Sequence, residues 1–108
     1  MIVKLTAASP DFPDLTAGQT YCVIGIEADD YRILNDFGKP YIYPRHDFIL
    51  IDATEPTDWV LDVGMDGERY AYPPSLNESG FFEDFFDGVP SAVATFWHVV
   101  NRRLSQAA

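Results

Sequence analysis

The sequence predicts a mainly β (α+β) domain, a small antiparallel barrel of five to seven strands followed by a C-terminal helix. Three observations carry this. Residues 15–52 form a series of short β-branched and aromatic runs broken by turn residues. Asp66-Gly67 sits between two further alternating runs, as hairpin dipeptides do. After residue 75 the apolar period changes from about 2 to about 3.6. With 108 residues, 47% apolar and 15% aromatic, the chain reads as one domain with a single modest core, strand-rich over 1–74 and helical over 75–108.

In order, Met1–Ala7 is the first strand, and Ala8–Pro13 is a proline-bracketed loop. Tyr21–Glu27 alternates, with Cys22, Ile24 and Ile26 on one face and Tyr21, Val23 and Gly25 on the other. Gly25 marks a bulge or a bend. Ala28-Asp29-Asp30 leads tightly into Tyr31–Leu34. Asn35-Asp36-Phe37-Gly38 has the composition of a type I turn. Lys39–Tyr43 is flanked by Pro40 and Pro44, which donate no ladder bond, so it is an edge or very short. Phe48–Asp52 is a nearly continuous apolar run. Trp59–Val63 and Glu68–Tyr72 make the second hairpin.

Phe81–Asp87 is a short helical turn. Its four Phe fall within about 140° of arc, with acids opposite. Asn77 or Ser79 is its expected start cap, and Gly88 its end. Pro90 opens the last helix. There Val93, Phe96, Trp97, Val100 and Leu104 share an arc of about 100°.

Charge limits the function classes. Seventeen acidic against seven basic residues leave a net −10, which repels phosphate backbones and argues against nucleic acid. It favours fast encounter with a basic protein. No apolar stretch approaches the roughly 18 residues a membrane span needs. The N-terminus shows no signal-peptide pattern, and the single Cys22 is expected as a buried filler in a reducing setting. A cytoplasmic location is the expectation.

No catalytic motif appears. Arg45-His46-Asp47 are neighbours in a loop and do not converge, and both His46 and His98 read as surface residues. The acidic groups Glu27/Asp29/Asp30 and Asp62/Asp66/Glu68 lack EF-hand spacing. Neither a metal site nor a cofactor is expected, and the protein reads as non-enzymatic.

Two binding surfaces remain. The first is acidic, with Asp29, Asp30, Glu83, Asp84 and Asp87 ringing Phe82 and Phe86 as aromatic anchors for a basic protein partner. The second is a tyrosine-rich barrel face of Tyr31, Tyr41 and Tyr43, suited to a small ligand or an extended peptide. Homodimerisation through the proline-flanked strand or the Phe surface is open.

Leu15-Thr16-Ala17-Gly18-Gln19-Thr20-Tyr21, then Val23-Ile24-Gly25-Ile26, resembles the opening of small bacterial Src-homology-3-like barrels. Tyr31-Arg32-Ile33-Leu34-Asn35-Asp36-Phe37-Gly38-Lys39-Pro40 resembles their second element. The resemblance implies a fold far more than a function. In size and acidity the chain is also similar to immunity proteins that neutralise basic bacterial toxin domains, which implies docking without chemistry.

Overall fold

The computed structural model describes residues 1–107; Ala108, the end of the expected helical part, lies outside the described residues. The strands are β1 (Ile2–Leu5), β2 (Thr20–Glu27), β3 (Asp30–Leu34), β4 (Pro40–Pro44), β5 (Phe48–Asp52), β6 (Val60–Val63) and β7 (Arg69–Tyr72). Two helices follow, α1 (Phe81–Phe86) and α2 (Pro90–Ala107). Each expected strand is present, with ends moved by a few residues.

All pairings are antiparallel. The order is β4-β3-β2-β1-β5, with β7 on β2 and β6 on β7. β2 belongs to both halves. Its start pairs with β1, and Ile26 and Glu27 pair with Ala71 and Tyr70. Closing a barrel requires the outer strands to bond each other, and among the described residues β4, β5 and β6 each pair with one neighbour. The seven strands are therefore an open sheet, which corrects the closed barrel expected from the strand count. One physical cause is visible at β4, where Pro40 and Pro44 present no N–H to a further strand.

Gly25 does mark a bulge. Val23 faces Ile33 across the ladder while Gly25 faces Arg32, so Ile24 has no opposite number. The extra residue reverses the alternation. Tyr21, Val23 and Ile26 share one core, and Ile24 enters the other. The expectation that Cys22, Ile24 and Ile26 share a face fails for this reason. No side chain fits at residue 25, because a Cβ there would overlap the Tyr72 ring.

The first core gathers side chains from most of the sheet, with Val3, Leu5, Ile33, Tyr43, Phe48 and Trp59 among its members. The second lies between Ile24 and Tyr72 of the sheet and the helices. There Ala92, Phe96 and Val100 recur at helical spacing, and Phe96 is fully buried. Burying such a ring contributes about 2–3 kcal/mol. Leu104, expected on that stripe, is exposed. Phe81 and Phe85 face inward, whereas Phe82 is half-buried and Phe86 exposed.

Local chemistry explains the turns and helix ends. Gly38 N–H donates to the Asn35 carbonyl at 3.0 Å, closing the expected turn. The Asn35 side chain accepts from the Phe37 and Lys39 amides. α1 starts at Gly80, which has φ 77°, and neither Asn77 nor Ser79 caps it. It ends in a Schellman arrangement: Gly88 N–H donates to the Phe85 carbonyl and Val89 N–H to that of Asp84, both at 3.0 Å.

Candidate functional site

The β2–β3 hairpin, β6, β7 and the segment leading into α1 enclose a groove of about 510 Å³. Each element delivers a side chain for a local reason. Glu27 ends β2 and pairs with Asp30 across a tight turn in which Ala28 takes φ 54°. Arg32 alternates with the core residues Tyr31 and Ile33, so it projects away from the first core. Tyr70 and Tyr72 share one face of β7. The left-handed Gly80 turns the chain into α1, placing Phe82 and Glu83 along the groove.

Arg32 is the centre of this site and only 8% exposed. Its Nε donates to the Tyr72 hydroxyl at 2.7 Å, and Nη1 donates to the Pro40 carbonyl at 2.7 Å. Nη2 reaches Glu27 Oε1 at 3.3 Å. The Tyr72 hydroxyl in turn donates to the same Glu27 oxygen at 2.8 Å. Phe82 covers the guanidinium. Burial is the main force raising the Tyr72 phenol pKa, and the Glu27 charge adds to it, while Arg32 opposes both.

The Glu27 charge is thus met within the protein. The other groove carboxylates, Asp62, Glu78 and Glu83, form no ion pair among the described residues, nor do Asp84 and Asp87 of α1. A chain of rings runs beside them. Tyr72 and Phe82 lie 5.5 Å apart, Phe82 and Phe86 6.5 Å, and Phe86 and Tyr41 5.5 Å.

The expected site residues separate accordingly. Phe82 and Glu83 meet in the groove, with Phe86 and Tyr41 continuing its aromatic edge. Asp84 and Asp87 are exposed on α1. Asp29 lies in a different cleft with Arg45, whose guanidinium is 3.8 Å away. Asp30 is half-buried at the start of β3. Tyr31 and Tyr43 are buried in the first core, so they line no common groove with Tyr41. The Tyr43 hydroxyl donates to Asp14 Oδ2 at 2.8 Å and accepts from Asn35 at 3.1 Å, which ties the loop before β2 to the β3–β4 turn.

Arg32 and Glu78 were not singled out from the sequence, and Glu27 and Asp62 entered only as members of the two acidic turn groups. An arginine between Tyr31 and Ile33 hints at a paired charge, but no spacing links it to Glu27, Tyr72 and Phe82. Cys22 is half-buried, and burial raises its thiol pKa. Among the described residues, no group of three or more His, Cys, Asp or Glu side chains is placed to hold a metal ion. Nor, among the described residues, is any helix long and apolar enough to cross a membrane. No protein-family model matches the chain, and no curated protein or solved structure matches it.

Proposed function

We propose that the protein is a non-enzymatic docking domain that receives a basic protein partner on the groove between β6–β7 and α1. One observation carries the reading: Asp62, Glu78 and Glu83, which form no ion pair among the described residues, line one groove with the rings of Tyr70, Tyr72 and Phe82. A partner's Arg or Lys side chain would find carboxylates and ring faces together, the pairing that cation–π and charge-assisted bonds require. The net −10 would steer the encounter. Neutralising a basic toxin domain, as an immunity protein does, is the biological use proposed for such docking. The Src-homology-3 likeness belongs to the same proposal, supported by the hairpin of β3 and β4 around Asn35–Gly38.

The test is titration of the isotope-labelled protein with an arginine-rich peptide, followed by amide shifts. The expected shifts cluster at Tyr70–Tyr72 and Gly80–Glu83 and vanish above about 0.5 M salt. Glu78→Lys with Glu83→Lys should weaken binding by about tenfold or more at unchanged thermal stability. Shifts spread evenly over every acidic loop, or affinity indifferent to the double change, would refute the assignment.

A further inference from the structure

The outer strands differ as edges. β4 is guarded by Pro40 and Pro44. β5 is broken: between Ile2 and Val3 of β1 the partner jumps from Asp52 to Leu50, leaving Ile51 in a bulge. β6 is unbroken. Val60, Leu61, Asp62 and Val63 face Tyr72, Ala71, Tyr70 and Arg69 in one continuous register, and beyond β7 the strand has no partner among the described residues.

The direction of its main-chain groups can be read from the hairpin. Gly64 N–H donates to the Glu68 carbonyl at 2.8 Å, which makes these two a hydrogen-bonded pair. Such pairs alternate along an antiparallel ladder, so Asp62 bonds to Tyr70, while Leu61 and Val63 turn their N–H and C=O groups to the free edge. Arg69, opposite Val63, fits this phase: its carbonyl accepts from Ala28 N–H at 2.7 Å, on the β2 side. Open main-chain groups of this kind are a template for another strand.

The two faces of that edge differ. Asp62 shares the acidic groove with Tyr70, Glu78 and Glu83. On the opposite face Leu61 and Val63 are apolar and 58% and 71% exposed. We infer that β6 is extended by an antiparallel strand of the basic partner whose residues alternate basic and apolar. The residue facing Asp62 is Arg or Lys and lies on the groove side. Its two neighbours are apolar, sit opposite Leu61 and Val63, and exchange main-chain bonds with them. Charge decides against a second copy in this place. The register that uses both outward residues sets Asp62 directly opposite the other Asp62, where like charges destabilise, and both bodies carry −10. The inference rests on the groove reading above and adds the conformation and sequence pattern of the segment that the groove receives.

Amide hydrogen exchange of the labelled protein, with and without the end-blocked peptide Val-Arg-Val-Arg-Val-Arg-Val, is the first measurement. The peptide should slow exchange at Leu61 and Val63 by about tenfold or more, and far less at Asp62, whose N–H is already bonded within the hairpin. N-methylation of the valines keeps the charge and removes the donors, so it should weaken binding by about tenfold or more. Asp62→Lys should do the same at unchanged thermal stability. Amide shifts in the groove without slowed exchange at Leu61 and Val63 overturn the strand addition and leave the groove reading standing. Equal binding of the N-methylated peptide does so too. A peptide that produces no shifts in the groove overturns both. Concentration-dependent protection of the same two amides without peptide gives the edge to a second copy and overturns the inference.

Discussion

The guanidinium carbon of Arg32 lies 3.8 Å from the centroid of the Phe82 ring, so a strand cation and a helix aromatic close the same buried site. Phe82 covers one side of the cation, and Glu27, Tyr72 and the Pro40 carbonyl take its hydrogen bonds. α1 is thereby fastened to the sheet by a polar contact as well as by its buried Phe residues.

Removing that cation leaves Glu27 and the Tyr72 hydroxyl short of a partner. Arg32→Met is expected to cost about 2–3 kcal/mol in urea denaturation. Phe82→Leu, which keeps apolar cover but loses the ring face, should cost about 1 kcal/mol. Because both changes break one contact, a double-mutant cycle should show less than additive loss. Strict additivity would mean that the two groups are near each other without interacting.

Gly25 and Gly18 separate two reasons for glycine. At Gly25 a Cβ meets the Tyr72 ring, whereas Gly18 has φ 83° and open space around it. Gly25→Ala should cost about 2 kcal/mol or more through overpacking. Gly18→Ala should cost only the left-handed backbone penalty of about 1 kcal/mol. Thermal melts of the two variants check the order.

Alkaline pH should unfold the protein through its buried phenols. Burial first, with Asp14 beside Tyr43 and Glu27 beside Tyr72 adding to it, holds both hydroxyls well above the ordinary phenol value of 10.0. The native state then binds these protons more tightly than the unfolded chain does. Their contribution is complete below pH about 10 and is lost as pH rises beyond it. Site-resolved ring signals of Tyr43 and Tyr72 should remain those of neutral phenol until circular dichroism reports loss of fold. Ionisation of either ring in the intact fold would contradict this.

Phe96 and Phe86 distinguish core from surface. Phe96 is fully buried against Phe82, Phe85 and Trp97, while Phe86 is 45% exposed. Phe96→Ala should lose about 3–5 kcal/mol, a large share of a small domain's stability. Phe86→Ala should lose less than about 1 kcal/mol. A comparable loss at both positions would place Phe86 in the core.

The local signals in this chain were strong because each rests on neighbours in sequence. Alternation marked the strands, Asn35-Asp36-Phe37-Gly38 and Asp66-Gly67 marked two turns, and Gly88 and Pro90 marked the break between the helices. Helical spacing marked Phe96 and Val100, which are buried, but Val93 and Trp97 of the same arc are half-buried, and the buried Ala92 carried no such mark. The acid-opposite-Phe pattern of α1 likewise anticipated its amphipathic character, though not which Phe of each pair would turn inward.

By itself, then, the sequence determined the element order, the α+β class and the excess of negative charge, because short-range periodicity and composition specify those directly. Tertiary structure alone decided that the sheet stays open, that the bulge at Ile24 and Gly25 sends Ile26 to the other core, and that Tyr31 and Tyr43 are buried while Tyr41 reaches Phe86. It alone brought Glu27, Arg32, Tyr72 and Phe82 together. These outcomes depend on strand register and on how a helix lies against a sheet. A one-residue shift in register reverses the face of every side chain that follows, and contacts between distant segments leave no period in the sequence for their residues to announce.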